Sequence, residues 1–458
     1  MTPTYASLWT RVMTLALLWS TGCAATRPYL HWQGGDVFGV TSEEGPAPSP
    51  IACTGKQAQR FLCYAELLRV RGAATSGAFA VVDGSGQLHA MGTGEPAASL
   101  DTPFALASIT KMFTAATAVR LSQQGLLDLM RPISSYLPEL GPNSELGRVT
   151  VHQLLTHSAG ILDPPSASLC SEDGEPLSVL ANAHVAAPPG ALYVYSNAGY
   201  ALAGIVIARV TGQAFEDAMR EQVLEPMGMV SATFDPHALT PSVLAAESSD
   251  SVPTRCRAIN PAGGLIASLR DLARWAEAMS RPEAHPLGRA LAEALVASHV
   301  ATGSRVGETY GYGVTTIQRG AVRVHCHGGN LQGSSAFVAW IPERQFAALA
   351  AATRPGASSA IAVLRGTSLL LDLPEDWRPT SDGPAHPLQA YVGTYIDPRS
   401  KLARIRVSIE QNNLVHEFLD GPPPLLPAKL TFHFAPNNNN QARYVATAIG
   451  IAERASAP

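Results

Sequence analysis

Apolar and polar side chains alternate in two adjacent stretches, residues 76–82 and residues 87–92, and the pair Asp83-Gly84 lies between them. Alternation with a period of two is typical of a β-strand with one buried face. An Asp-Gly pair between two such stretches favours a tight turn. The pattern therefore predicts a β-hairpin in the first quarter of the chain.

A helical period replaces this alternation further along the chain. It predicts a long helix from Ser108 to about residue 124, a short helix that ends at Gly160, a helix of small residues from Ala198 to about residue 210, and a helix over residues 268–279. Glycine is a frequent helix terminator, which supports the ends assigned to the first two helices.

The last part of the chain returns to short alternating segments. Residues 379–386 are rich in Pro, Ser and Gly and are typical of a linker. The segments after it are separated by Gly, Pro and Asn turns, and they lie at residues 388–395, 403–410, 413–418 and 430–434. This spacing predicts a small antiparallel β-barrel or sandwich domain over residues 387–458.

The N-terminus has the pattern of an export signal. Arg11 precedes an apolar run over residues 12–19, and small residues lead to Cys23. We predict a signal peptide over residues 1–22, too short to be a membrane span. The Gly-Cys junction resembles a bacterial lipoprotein site with acylated Cys23 as the mature N-terminus, although Ser20 stands where that motif usually has Leu. Plain secretion and an uncleaved anchor are the alternatives.

A lipid on Cys23 would tether the protein to the periplasmic or cell-surface face of a bacterial membrane. Residues 23–60 begin with this cysteine, and their Gly, Pro, Ser and acidic residues predict a flexible spacer up to a folded body over residues 61–378.

Composition narrows the class of protein. The chain has 458 residues, 46% of them hydrophobic and 15% charged, which indicates a compact globular protein of more than one domain. A formal net charge of −4 gives no electrostatic case for binding nucleic acid. No apolar run long enough for a transmembrane helix occurs beyond the N-terminus.

Six cysteines are compatible with an oxidising compartment, where disulfides persist. With Cys23 set aside for the lipid, Cys53 and Cys63 bracket a short loop and form the first candidate pair. The cysteines at positions 170 and 256 form a second candidate pair, although sequence alone does not set the connectivity. Cys326 would then be the cysteine outside these two pairs, and we expect it to be buried in a strand.

Ser108 and Lys111 are candidates for a nucleophile and its base. Residues three apart in a helix share a face, so the hydroxyl and the amine come within reach of each other. Serine needs a base to attack at neutral pH, and lysine serves when burial lowers its pKa. The helix N-terminus adds positive potential. The alternative is a serine at a helix N-cap followed by a solvated lysine.

Tyr195 and Asn197 lie two residues apart before a predicted helix. In extended backbone both side chains point the same way. A phenol beside a lysine can transfer protons, and an amide can hold both the lysine and a substrate carbonyl. The alternative is that Tyr195 is an ordinary core aromatic residue.

A β-branched run ends at His327 and continues as Gly328, Gly329 and Asn330. Glycine in a strand often marks close approach of a ligand to the backbone, and a strand edge can supply an N–H group to an oxyanion hole. The alternatives are a hairpin turn and a His-x-His metal site through His325. We expect no metal, because no third ligand is evident nearby, and no cofactor.

In this order and spacing, Ser108-x-x-Lys111, Tyr195-x-Asn197 and His327-Gly-Gly resemble the serine β-lactamase and penicillin-binding-protein superfamily. The likeness is to the class C β-lactamase-related branch, which includes D,D-carboxypeptidases, D-aminopeptidases and esterases. It covers about residues 65–373, and further matches lie at residues 154–160, 261–265 and 310–313.

The resemblance implies an α+β fold, in which helices flank a mixed antiparallel sheet with an inserted helical subdomain. It also implies roles. Ser108 would form an acyl-enzyme, and Lys111 with Tyr195 would transfer protons. Asn197 would hold the lysine and the substrate amide. The N–H groups of Ser108 and Asn330 would form the oxyanion hole, and the strand 327–330 would bind substrate.

The histidine of the third motif changes the expected substrate. Related β-lactamases and carboxypeptidases usually have Lys at this position, whereas His327 is mostly neutral near pH 7 and attracts anions weakly. We therefore expect a peptide, D-amino-acid amide or ester as substrate, with the cell wall as one source, and slow or absent β-lactam hydrolysis. The alternatives are a penicillin-binding or sensor protein that is acylated without turnover, and a structural envelope protein. The C-terminal domain would either stabilise the body or act at the site or on a partner.

Overall fold

The structure is a computed structural model. It describes residues 29–30, 57–71, 76–95, 97–164, 176–239, 256–302, 308–331, 334–353, 363, 366–367, 371, 393–396, 404–410, 413–418, 431–434, 442–447 and 450–454.

The strands are, in chain order, β1 (Tyr29–Leu30), β2 (Ser76–Val82), β3 (Leu88–Gly94), β4 (Pro103–Ala105), β5 (Ile266–Ser268), β6 (Val300–Ala301), β7 (Glu308–Tyr310), β8 (Thr315–Arg319), β9 (Val322–Leu331), β10 (Ser334–Ile341), β11 (Phe346–Ala352), β12 (Gly393–Ile396), β13 (Arg404–Glu410), β14 (Asn413–Phe418), β15 (Thr431–Phe434), β16 (Ala442–Thr447) and β17 (Gly450–Arg454). The α-helices are α1 (Gln57–Arg71), α2 (Thr110–Gln123), α3 (Val151–Leu155), α4 (Pro176–Leu180), α5 (Asn197–Thr211), α6 (Phe215–Met219), α7 (Asn260–Gly263), α8 (Leu269–Ser280) and α9 (Arg289–Val296).

Eight strands form the main sheet, in the order β3-β2-β11-β10-β9-β8-β7-β6, and every neighbouring pair is antiparallel. The predicted hairpin is confirmed as β2 and β3. The Asp83 carboxylate closes its turn, because Oδ1 accepts the backbone N–H groups of Ser85 and Gln87 at 2.9 and 3.1 Å. A side chain that bonds backbone two residues ahead is what makes Asp favourable in turns.

The main sheet is covered on both faces. Along β10, Val338 and Trp340 lie in the larger core with the helices α2, α5 and α8, whereas Phe337 and Ala339 pack with the side chains of α1. Every residue of β11 is buried. A strand with two covered faces has a continuous apolar sequence instead of an alternating one.

The helix α2 is buried along most of its length, from Thr110 to Val119. A helix that is buried on all sides lies in the interior, so α2 is the central support of the helical region. The predicted long helix is confirmed, with one difference at its start. Ser108 lies in a short 3-10 turn, Ala107–Ile109, that leads into the helix.

The helix predicted to end at Gly160 is shorter than expected. Thr150 and Gln153 form a capping box at its start, and it ends at Leu155, since His157 adopts a left-handed φ of 56°. Gly160 has another function in the structure: a Cβ atom there would lie 2.2 Å from the carbonyl oxygen of Ala187. Its glycine is thus required by a close backbone approach.

The C-terminal strands form a second antiparallel sheet in the order β1-β14-β13-β12-β17-β16-β15. Its edge strand β1 lies within residues 23–60, the stretch predicted to be a flexible spacer. Contrary to that prediction, residues 29–30 pair with β14. Helix α1 starts at Gln57, four residues before the predicted start of the folded body at residue 61. The predicted signal peptide and the linker over residues 379–386 lie outside the described residues.

Cys63 and Cys256 are both disulfide-bonded. Their predicted partners, Cys53 and Cys170, lie outside the described residues, so the pairing stays a prediction. Cys326 is a buried thiol in β9, as expected. Within the described ranges, no single helix is long and apolar enough to cross a bilayer, and one pair bent by 81°, Asn197–Thr211 with Phe215–Leu224, passes on length and composition only.

Candidate active site

Ser108 stands at a sharp backbone turn between β4 and α2. Ala107 before it has a φ of 46°, a left-handed conformation that costs a non-glycine residue roughly 1–2 kcal/mol. The strand β9 packs directly against this turn, since a Cβ atom on Gly329 would lie 2.0 Å from the carbonyl oxygen of Leu106. The glycine therefore lets the third motif approach the backbone of the serine.

Lys111 is fully buried beside Ser108. Its Nζ lies 3.1 Å from Ser108 Oγ, 2.8 Å from Asn197 Oδ1 and 2.7 Å from the carbonyl oxygen of Ala262. Burial disfavours the charged amine and lowers the pKa of Lys111 to about 7, while the negative charge of Asp163 opposes this shift. A lysine in this range exchanges protons at neutral pH.

The Tyr195 hydroxyl donates a hydrogen bond to Ser108 Oγ at 2.7 Å. The residue is 37% exposed, and the Lys111 Nζ lies 4.7 Å from the centroid of its ring. Burial around the hydroxyl raises the pKa of Tyr195 above its usual value, so the phenol keeps its proton at neutral pH. Two proton-exchanging groups thus meet at one serine oxygen.

The loop that presents Tyr195 and Asn197 is held by an aspartate that sequence reasoning missed. Asp163 Oδ1 accepts from Ser196 Oγ at 2.8 Å and from the Ala198 N–H at 2.9 Å. Asp163 Oδ2 accepts from Asn197 Nδ2 at 2.9 Å. Asp163 lies 33 to 35 residues away in sequence, so no local spacing rule could have identified it.

His157 is a second missed residue, although it lies within the stretch 154–160 that supported the resemblance. Its Nδ1 accepts the Ser196 N–H at 3.1 Å, and its ring lies 4.3 Å from that of Tyr195. Burial, with the nearby Lys111, holds the pKa of His157 well below its usual value. A neutral His157 therefore packs behind the Tyr195 ring and supports it.

His327 is buried in β9, and both of its ring nitrogens are used inside the protein. Nδ1 lies 2.7 Å from the carbonyl oxygen of Gly328, which can only accept, so Nδ1 carries the proton and donates. Nε2 then accepts from the Tyr310 hydroxyl at 3.1 Å. Burial and the Lys111 charge lower the pKa of His327 to about 3. In this arrangement the imidazole offers a substrate neither positive charge nor an N–H group.

The structure thus brings Ser108, Lys111, Tyr195 and Asn197 into direct contact and places the third motif beside them. Asn330 is exposed at the end of this motif and pairs with Ser335 of β10. His325 contacts Thr316 Oγ1 through Nδ1 at 2.9 Å. In the part of the chain that the structure describes, no group of three or more His, Cys, Asp or Glu residues is arranged to hold a metal ion.

The sequence is similar, over part of its length, to a carboxypeptidase/endopeptidase and an esterase. The D-alanyl-D-alanine-carboxypeptidase/endopeptidase AmpH of Escherichia coli is 27% identical over 233 residues, which cover 46% of this chain and 59% of AmpH. The esterase EstB of Burkholderia gladioli is 36% identical over 153 residues, which cover 29% of this chain and 39% of the esterase. The chain spans 36% to 59% of the length of the first three curated relatives it matches.

Structural similarity to solved proteins covers more of the chain than sequence similarity does. A class C beta-lactamase from Rhodobacter sphaeroides has 18% identity, covers 69% of this chain and 99% of its own, and superposes with a TM-score of 0.57. This likeness and the eight-stranded sheet confirm the predicted β-lactamase-like fold. The Beta-lactamase family model matches residues 64–367, more than half of the 458 residues. The chain therefore belongs to the beta-lactamase family.

Proposed function

We propose that this protein is a serine hydrolase that forms an acyl-enzyme at Ser108. The observation that carries the proposal is the meeting of Lys111 Nζ and the Tyr195 hydroxyl at Ser108 Oγ, at 3.1 and 2.7 Å. A serine held between a base and an acid is the arrangement that nucleophilic catalysis requires. The relatives named as a carboxypeptidase and an esterase support the same reaction class.

The hydrogen bonds around Lys111 favour its role as the base. A neutral amine has two N–H groups and one lone pair. Asn197 Oδ1 and the Ala262 carbonyl oxygen can only accept, so they take the two N–H groups. The lone pair is then directed at Ser108, whose hydroxyl donates to it. With a pKa of about 7, half of the lysines would be in this form at neutral pH.

The proposed reaction has two steps. Ser108 Oγ bonds to the acyl carbon while its proton passes to Lys111, and the negative charge on the substrate oxygen is held by the N–H groups of Ser108 and Asn330. Tyr195 then protonates the leaving group as the acyl–leaving-group bond breaks, and Lys111 restores the phenol proton. Water then attacks the acyl carbon and gives a proton to Tyr195, whose own proton passes to Lys111. Lys111 returns this proton to Ser108 Oγ as the acyl–Oγ bond breaks and the acid leaves.

The third motif favours a substrate that has no carboxylate to be bound next to His327. Because His327 is neutral and its two nitrogens are used by Gly328 and Tyr310, it supplies no cation to bind a carboxylate. We therefore propose esters, D-amino-acid amides or peptides as substrates, with β-lactams turned over slowly or not at all. A lipid on Cys23 would place the enzyme at the periplasmic or cell-surface face of a bacterial membrane.

The test uses the purified full chain, Ser108→Ala and the matched control Ser135→Ala, whose serine is exposed in a surface turn. Each protein is treated with a fluorophosphonate probe and a fluorescent penicillin, and p-nitrophenyl ester turnover is followed. We expect labelling and turnover that Ser108→Ala abolishes and Ser135→Ala retains. Lasting penicillin labelling without turnover would favour the penicillin-binding alternative, and no labelling of the folded protein would remove Ser108 as a nucleophile.

A further inference from the structure

We propose that Asp163 is a positioning residue: it sets the orientation of the Asn197 amide and so directs the lone pair of Lys111 at Ser108. This inference rests on the proposed function. Asp163 touches neither Ser108 nor Lys111 by hydrogen bond, and it acts through the loop 195–198. It lies on a segment after α3, which brings it to the N-terminus of α5.

The contacts of Asp163 hold three consecutive residues at once. Although it is exposed, its two carboxylate oxygens accept from Ser196 Oγ, Asn197 Nδ2 and the Ala198 N–H, all at 2.8 to 2.9 Å. Ser196 Oγ in turn caps α5 by accepting the Gly199 N–H at 3.1 Å. Asp163 thereby fixes the start of α5, where Asn197 is the first residue.

The chemistry of the partners leaves one orientation for the Asn197 amide. An aspartate carboxylate has only acceptors, so the amide must turn its NH₂ group toward Asp163. Its oxygen then faces Lys111 Nζ at 2.8 Å. With the amide reversed, an N–H group would point at the amine and compete with the Ser108 hydroxyl for its lone pair. The orientation set by Asp163 is therefore the one that leaves Lys111 free to take the serine proton.

Asp163 also acts on Lys111 through its charge. The groups that surround the lysine are Asp163, the imidazoles of His157 and His327, and the phenols of Tyr195 and Tyr200. The pKa of each imidazole is lowered and that of each phenol is raised, so all four stay neutral between pH 6 and 9. Asp163 is the member of this set whose negative charge raises the pKa of Lys111.

The isosteric variant Asp163→Asn separates orientation from structure. Its side-chain oxygen can still accept from Ser196 and Ala198, but its NH₂ group would face Asn197 and favour the reversed amide. We expect the plateau of kcat/KM with an ester substrate to fall by about 10²-fold, the usual scale for a misplaced catalytic group. The acid limb of the pH profile should also move to lower pH, because the charge that raised the pKa of Lys111 is gone.

Asp163→Glu keeps the charge and displaces the carboxylate by one methylene. We expect this variant to retain the acid limb near its original pH while the plateau of kcat/KM falls. If Asp163→Asn does not fold, Asp163→Glu is the variant that tests the proposal. The matched control is Asp83→Asn, which alters a carboxylate with similar turn contacts in the β2–β3 hairpin. This control should leave both the acid limb and the plateau unchanged.

A double-mutant cycle with Asn197→Ala tests the route of the effect. If Asp163 acts through the amide, Asp163→Asn lowers the plateau by less than about 3-fold in the Asn197→Ala background, since coupled residues are non-additive. The full loss in that background would overturn the proposal. An unmoved acid limb and a lowered melting temperature in Asp163→Asn would also overturn it, because they are the signature of a purely structural residue.

Different outcomes would disprove the proposed function and the proposed role of Asp163. If Ser108→Ala still reacts with the fluorophosphonate probe, Ser108 is not the nucleophile and the proposed function is wrong. If only wild-type Ser108 reacts, and Asp163→Asn retains the wild-type plateau and acid limb, the proposed function stands and the role of Asp163 is wrong.

Discussion

Lys111 determines the pH range in which the site should work. Its neutral form is the base, and its pKa is lowered to about 7 by burial. As the pH falls through this value the amine takes up a proton and loses the lone pair. We therefore expect kcat/KM for an ester to fall tenfold per pH unit below about pH 6 and to reach a plateau above about pH 8.

The neighbouring groups make this prediction specific to the lysine. The pKa of His327 is lowered to about 3 and that of His157 lies well below its usual value, so neither titrates in this window. The raised pKa of Tyr195 keeps the phenol protonated, and the plateau should extend through pH 9. The check is the pH dependence of kcat/KM alongside that of the fluorophosphonate labelling rate. A profile that stays flat from pH 5 to 9 would contradict the base role of Lys111.

At the scale of elements, the site depends on how closely β9 approaches the turn that carries Ser108. We predict that Gly329→Ala destabilises the protein by about 1–3 kcal/mol, the usual cost of inserting an atom into packed structure. A Cβ atom there would lie 2.0 Å from the Leu106 carbonyl oxygen and 3.1 Å from the Ala107 Cβ. The strand must therefore move away from Ser108, and kcat/KM should fall by about 10²-fold.

The measurement compares urea unfolding and ester turnover of Gly329→Ala with those of Gly84→Ala. Gly84 lies in the β2–β3 turn, where the nearest atom to an added Cβ is the Arg344 carbonyl oxygen at 3.5 Å, an ordinary contact. We expect this control to match the wild type in both assays. Equal behaviour of the two variants would mean that the approach of β9 does not limit activity.

At the scale of the whole molecule, the proposed anchor predicts where the protein resides. When it is expressed in a bacterial host, the wild-type chain should incorporate an alkyne-labelled fatty acid and partition with membranes. Each CH₂ group of an acyl chain that enters the bilayer contributes roughly 0.8 kcal/mol to membrane binding. Cys23→Ser should lose the label and enter the soluble fraction or stay as an uncleaved precursor.

Ser20→Leu is the informative partner variant, because it restores the residue that lipoprotein signals usually have before the cysteine. It should be acylated at least as fully as the wild type. If wild-type protein carries no label and is recovered as soluble protein of the same mass as Cys23→Ser, plain secretion is the correct alternative.

Local sequence spacing predicted most of the elements that build the site. The hairpin β2–β3 follows from alternation around Asp83-Gly84, and α2 and α5 follow from helical periods. The contacts of Ser108 with Lys111 and of Asn197 with the same lysine are those that the motifs predicted. The end of α3 was mispredicted, since the left-handed φ of His157 depends on packing and not on a residue type that favours it.

Periodic patterns in the sequence did not predict the contacts between residues that are distant along the chain. The pairing of β1 with β14 joins segments almost 400 residues apart, and nothing in the composition of residues 23–60 indicated a strand there. Asp163 and His157 follow α3 and bond to the Tyr195 loop before α5, and the two helices pack against each other. Such contacts are made by the fold as a whole, and a single-residue signal for them does not exist.

By itself, the sequence determined which chemical groups share a face: a hydroxyl and an amine one helical turn apart, and a phenol and an amide two residues apart in extended backbone. These relations hold wherever the backbone is regular. Only the tertiary structure decided what those groups can do. Burial lowers the pKa of Lys111, burial and the Lys111 charge keep His327 neutral, and Asp163 orients Asn197. Desolvation and hydrogen-bond direction depend on every neighbour in space, and distant parts of the chain supply most of those neighbours.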